Sequence, residues 1–135
     1  MIQWTYVPSR SPPAKVQRRV VQWRKACQAE VAPDRPVITF TFDDFPKSAL
    51  NGADIVERHG GRAGFYACTT LMNQRSPVMG DMFDAETLAE LRARGHEIGA
   101  HTHSHLDCAR SPLGKVERDI GGNLVALQEV GHLET

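Results

Sequence analysis

Two clusters of polar side chains have the types and spacing to do chemistry: Asp43 and Asp44 in TFDDFP, residues 41–46, and His101, His103 and His105 in HTHSHLD, residues 101–107. Adjacent side chains point in different directions, so the two carboxylates need not share a role. One can bind a cation while the other stays free as a base. His101 and His105 are four apart and face the same way on a helical turn or in an extended segment. Either geometry lets both imidazoles reach one ion. Two neutral imidazoles and one carboxylate, with a position open for water, form a common catalytic site for zinc or a similar divalent ion. The competing reading of the aspartates is a turn, with Asp44 or Ser48 as a helix N-cap. His59 and His132 read as exposed structural residues. His96 reads as a helix C-terminal histidine whose alternative role is to orient a neighbour.

The elements that must position these groups alternate. Residues 1–13 read as an irregular lead-in, with Pro12 and Pro13 placed to start a helix over Ala14–Glu30 that repeats Val16, Val20, Trp23 and Cys27. APDRP breaks it, and Val37–Phe42 reads as a short strand. Ser48–His59 reads as a helix closed by Gly60-Gly61, despite the internal Gly52. RAGFYAC places Ala63, Phe65 and Ala67 on one strand face, and residues 69–82 read as a long polar connection. Asp84 is the expected N-cap of a helix carrying Leu88 and Leu91 and closing at Gly95. HEIGA is a third strand, and Leu113–Val130 a last helix with Val116, Ile120, Leu124 and Leu127 on one face. A helix followed by three strand-to-helix units predicts an α/β fold with a parallel sheet or barrel wall. Functional groups of such folds gather where the strands end, which is where both polar clusters fall.

The bulk properties narrow the function classes. A chain of 135 residues, 41% of them apolar, suits one globular domain. Sixteen basic and sixteen acidic residues cancel, which argues against nucleic acid as a partner. Cys27, Cys68 and Cys108 match no metal-binding spacing and no disulfide framework; they read as small buried hydrophobes in a reducing compartment. With neither an apolar leader nor a stretch as long as a membrane span, the expected location is cytoplasmic, and no membrane partner is expected.

In order, the two clusters resemble the first two motifs of the polysaccharide deacetylase family, the NodB-homology domain of carbohydrate esterase family four. Thr41-Phe42-Asp43-Asp44 matches the first motif and His101-Thr102-His103-Ser104-His105 the second, with LRARGHEIGA as a similar approach. The resemblance implies a partial (β/α) barrel, with residues 1–35 as lead-in and helix and 36–135 as the N-terminal portion of the domain. It implies that Asp44, His101 and His105 bind a divalent metal, with zinc the expected ion, that Asp43 is the catalytic base, and that His103 is not a ligand. The implied reaction is metal-dependent hydrolysis of an N-acetyl group on a carbohydrate, releasing acetate and a free amine.

Two departures from the family set further expectations. Phe45-Pro46 stands where the family usually has Gly, so the loop is expected to take another path and narrow the sugar groove. The later motifs, which supply a positioning Arg, a wall of the site and a general-acid His, have no counterpart here. The chain is therefore expected to be a fragment with an exposed sheet edge, completed by an oligomer or a partner chain. Amide hydrolysis on a small non-sugar substrate, and a non-catalytic metal-binding or interaction module, are the rival functions.

Overall fold

A computed structural model describes residues 10–23 and 32–131. The chain divides into two compact units, Gln3–Ile38 and a second that runs from Thr39 to Thr135. Within the first, α1 spans Pro12–Trp23 and starts at the expected proline pair, whose missing N–H groups cost a first helical turn nothing. The predicted continuation to Glu30, the lead-in over residues 1–9, Cys27 and His132 lie outside the described residues.

The second unit holds β1 (Thr41–Asp43), α2 (Leu50–Arg58), β2 (Gly64–Ala67), β3 (Arg75–Ser76), β4 (Gly80–Asp81), α3 (Ala85–Ala93), β5 (Glu97–Ala100) and α4 (Leu113–Gly131). Three strands form a parallel sheet in the order β1-β2-β5, with Thr41 opposite Gly64 and Gly64 opposite Glu97. This is the α/β class expected from the alternation of elements. Each strand of the sheet is followed by a one-turn 3-10 segment, Lys47–Ala49 before α2, Thr69–Leu71 after β2 and Cys108–Arg110 before α4, and only after β2 does the β3–β4 hairpin come before the next helix, α3. The stretch read as a long polar connection is thus folded, and its Leu71 and Met82 are buried.

The first strand is shorter and later than Val37–Phe42. Its neighbour sets that limit: β2 leaves the Gly60-Gly61 turn and pairs only from Gly64, whose N–H reaches the Phe40 carbonyl at 3.0 Å. Val37, Ile38 and Phe40 remain exposed. Asp43 consequently lies within the strand, and Asp44 is the residue that leaves it.

The core is formed by Phe65 and Ala67 from β2 with Ala63 just before it, Leu88 and Leu91 from α3, and Ala53, Val56 and Leu127 from the other helices. Phe42 stacks on Phe65 at 4.8 Å, and its ring crosses α2 at Gly52, where a Cβ would stand 2.5 Å from Phe42 Cζ. That approach explains a glycine inside a helix. Gly60 ends α2 at a φ of 75°, its N–H bonded to the Glu57 carbonyl. Asp84 caps α3 as expected, accepting the Thr87 N–H at 2.8 Å, and Gly95 follows its end at a φ of 82°.

Three other features depart from the sequence reading. Phe45 belongs to the core: it is 1% exposed, stacked on Phe83 at 4.6 Å and edge-on to Phe65 at 5.2 Å. An aromatic ring of that size gains more from the core than from water, so the chain turns it inward. His96 is a buried cross-link: its Nδ1 accepts the Ala63 N–H at 3.1 Å and its Nε2 faces Glu57 Oε1 at 2.9 Å. Because Nδ1 accepts, Nε2 is the nitrogen left to donate to Glu57. Finally, Ile120 and Leu124 are exposed, and α4 buries Asn123 and Leu127 instead. Cys68 is buried as expected, whereas Cys108 is exposed. Among the described residues no helix is long and apolar enough to cross a membrane.

Candidate metal centre

Strands β1, β2 and β5 run parallel, so their C-terminal ends lie on one edge of the sheet. Asp44 leaves β1 there, and His101 leaves β5. Ligand atoms of Asp44, His101 and His105 lie within 4.8 Å of one another. Asp44 Oδ2 is 2.7 Å from His105 Nε2 and 3.5 Å from His101 Nε2, and the two imidazole centroids are 5.9 Å apart. Asp43, the neighbouring carboxylate, is exposed. The adjacent aspartates thus occupy different environments.

The backbone is strained at this edge. Asp44, Thr102 and His105 adopt φ values of 45°, 62° and 53°, in the left-handed region that non-glycine residues enter rarely. Such strain persists only where the surroundings over-determine it. At Asp44 the tie is an N–H bond to the Tyr66 carbonyl at 3.1 Å. In the histidine loop, the Thr102 hydroxyl accepts the Leu106 N–H at 3.1 Å.

Helix α4 supplies the other ties. Asp119 Oδ1 accepts the N–H groups of His103 and Ser104 at 2.7 and 3.0 Å, and its Oδ2 accepts the Ser104 hydroxyl at 2.6 Å. Burial pushes the Asp119 carboxyl up, but these hydrogen bonds outweigh it and hold the group below the usual carboxylate range. Asn123, one turn further along, bonds to the start of the loop. Neither residue stands out in the sequence, where the apolar period of α4 is the dominant pattern. The available signal was a polar pair four apart on a helix that must face a loop.

His103 points away from the carboxylate, with Nδ1 2.8 Å from the Thr69 hydroxyl and its Cβ against Gly122. Cys68 lies beneath the same loop, its Sγ 3.3 Å from the His103 carbonyl, and burial pushes its thiol up into an unreactive range.

Asp44 Oδ1 is buried and has no hydrogen-bond partner among the described residues. A buried carboxylate oxygen without a partner is costly, and here it stands beside two imidazoles. Asp44 also holds the His101 imidazole above its ordinary range; burial opposes this, and Asp43 adds to the attraction. The edge therefore favours positive charge. Two imidazole nitrogens and a carboxylate are the donors that zinc and similar divalent ions take, so these residues fit such an ion.

Comparison with known proteins gives this geometry a context. The polysaccharide deacetylase family model matches residues 30–135. This chain belongs to the polysaccharide deacetylase family. A peptidoglycan-N-acetylglucosamine deacetylase of Bacillus cereus is 30% identical over 93 residues, which cover 67% of this chain and 39% of that protein. The fold is similar to that of IcaB from Ammonifex degensii, with a TM-score of 0.64 at 18% identity, over 78% of this chain and 50% of that one. This deacetylase-family chain thus spans well under two thirds of either relative.

Proposed function

We propose that this chain carries the metal-binding part of a deacetylase that removes N-acetyl groups from a carbohydrate by hydrolysis. The observation that carries the reading is the buried, partnerless Oδ1 of Asp44 beside His101 and His105. In this reading Asp44, His101 and His105 hold a divalent ion, zinc by the donor set, and the fold is the first part of a (β/α) barrel. Once bound, the ion would lower the pKa of a water molecule and polarise the acetamide carbonyl.

Asp43 is the general base. It sits beside the ligand carboxylate, exposed and able to accept a proton from water during attack on the carbonyl. The strained turns at Asp44 and His105 fix the direction of two proposed ligand side chains before substrate arrives, which is the preorganisation a hydrolytic site needs. The Bacillus cereus relative is named for N-acetylglucosamine in peptidoglycan, and an N-acetylated sugar polymer is the proposed substrate class.

Acetate release from N-acetylglucosamine oligomers, with zinc added and then chelated, tests the activity. Zinc-dependent release that disappears in Asp43→Asn while zinc uptake persists supports the reading. Uptake unchanged in both Asp44→Ala and His101→Ala would sink the ligand assignment.

A further inference from the structure

Asn123 is fully buried, and its three neighbours leave its amide a single orientation. Oδ1 must be the atom facing the His101 N–H at 2.9 Å, because that group can only donate. Nδ2 must then be the atom facing the Ala67 carbonyl and the Thr69 hydroxyl, each at 3.0 Å. One side chain thereby joins the end of β2, the first proposed ligand after β5, and α4.

The order of donors continues outward. Thr69 is 6% exposed and accepts from Asn123. If His103 Nδ1 also donated to it, the Thr69 hydroxyl proton would be buried with no acceptor among the described residues. The proton therefore goes to His103 Nδ1, 2.8 Å away, and the His103 proton sits on Nε2.

We propose that Asn123 is a positioning residue for the metal loop. It holds His101 through the backbone N–H and, through Thr69, fixes His103 as the neutral Nε2–H tautomer. This rests on the reading of His101 as a ligand. The loop contains two left-handed residues, Thr102 and His105, and it needs anchors on both sides of Thr102 to stay in that conformation. Before Thr102, Asn123 makes the shorter of the two bonds to the His101 N–H, 2.9 Å against 3.3 Å from the Ala67 carbonyl, and Asp119 provides the anchor after it. Outer partners that orient metal ligands typically change metal affinity 10- to 100-fold when removed.

The test uses the full chain. Zinc affinity is measured by competition with a chelating dye, and imidazole 15N shifts are recorded by NMR in the metal-free chain above pH 8. Asn123→Ala is expected to bind zinc about 10- to 100-fold more weakly than wild type while keeping one site per chain. Wild-type affinity in a folded Asn123→Ala chain overturns the proposal. Because that variant empties a fully buried site, leaving the Ala67 carbonyl only its 3.3 Å contact from the His101 N–H, and can fail to fold, two further readouts remain. Wild type must show an unprotonated Nδ1 and a protonated Nε2 at His103; the opposite pattern overturns the relay. Thr69→Val, nearly isosteric, must shift His103 toward a mixture of tautomers, and an unchanged pattern counts against it. Failure of wild type to take up zinc overturns the metal reading and the His101 half of this proposal. Normal uptake with the wrong tautomer overturns this proposal alone.

Discussion

Asp44→Asn separates the metal role of the carboxylate from any structural one. The substitution keeps shape and removes charge at a residue whose Oδ1 is buried without a partner and whose Oδ2 lies 2.7 Å from His105 Nε2. Replacing the charge-assisted bond to His105 by a neutral one costs about 1 kcal/mol. Relieving a charged, partnerless oxygen returns a similar amount, since such a group is penalised by about 1–3 kcal/mol. The metal-free variant should therefore melt within about 1 kcal/mol of wild type. With zinc at about 100 times the dissociation constant, wild type gains about 2.7 kcal/mol. For a domain of this size that is a rise of roughly 10 °C, taking about 4 °C per kcal/mol. The variant should show none of it. The assay is a thermal melt at pH 8 by circular dichroism, with chelator and with zinc. A variant that keeps more than half of the zinc-induced rise refutes the ligand role. A metal-free variant weaker by more than about 3 kcal/mol refutes the claim that Asp44 carries no structural load of its own, because that is the loss seen when a buried pair is broken.

Other sites give shorter predictions. Phe45→Ala should cost about 3–5 kcal/mol by leaving a cavity against Phe65 and Phe83, measured by urea denaturation; a loss under about 1 kcal/mol would place the ring outside the core. Gly52→Ala gains about 1 kcal/mol in helix propensity but puts a Cβ 2.5 Å from Phe42 Cζ, so a net loss of about 1 kcal/mol in stability by urea denaturation is expected, and a gain would show that ring to move freely. Asp84→Ala should cost about 1 kcal/mol through the lost cap, whereas Asp84→Asn keeps the cap. Lys47 beside Asp84 holds that carboxyl below its usual range, helped by Thr87. A depressed carboxyl contributes stability above the unfolded value of about 3.9 and loses it as pH falls toward the folded value. Melting curves from pH 6 to 2 should therefore fall more steeply for wild type than for Asp84→Asn, and parallel curves would contradict the pairing.

The parts of this fold visible in the sequence are those governed by local rules. The Asp84 cap, the Gly60 and Gly95 stops and the inward face Ala63-Phe65-Ala67 each depend on a few adjacent residues, and each is where the pattern placed it. The misread parts depend on partners distant in the chain. The start of β1 is set by where β2 can first pair, twenty or so residues later. Phe45 was judged against a loop and belongs to a core completed by Phe83. The face of α4 is the most instructive case. Its apolar period points to Ile120 and Leu124, yet the buried side carries Asn123, with Asp119 one turn earlier, because the helix accepts the N–H groups of His101, His103 and Ser104 in the loop. Polar residues chosen for that purpose look like noise in a hydrophobic pattern. A histidine cluster at a strand end therefore raises a second question beyond which atoms can bind an ion. Its backbone needs acceptors, and the next helix in the chain is the place to look for them.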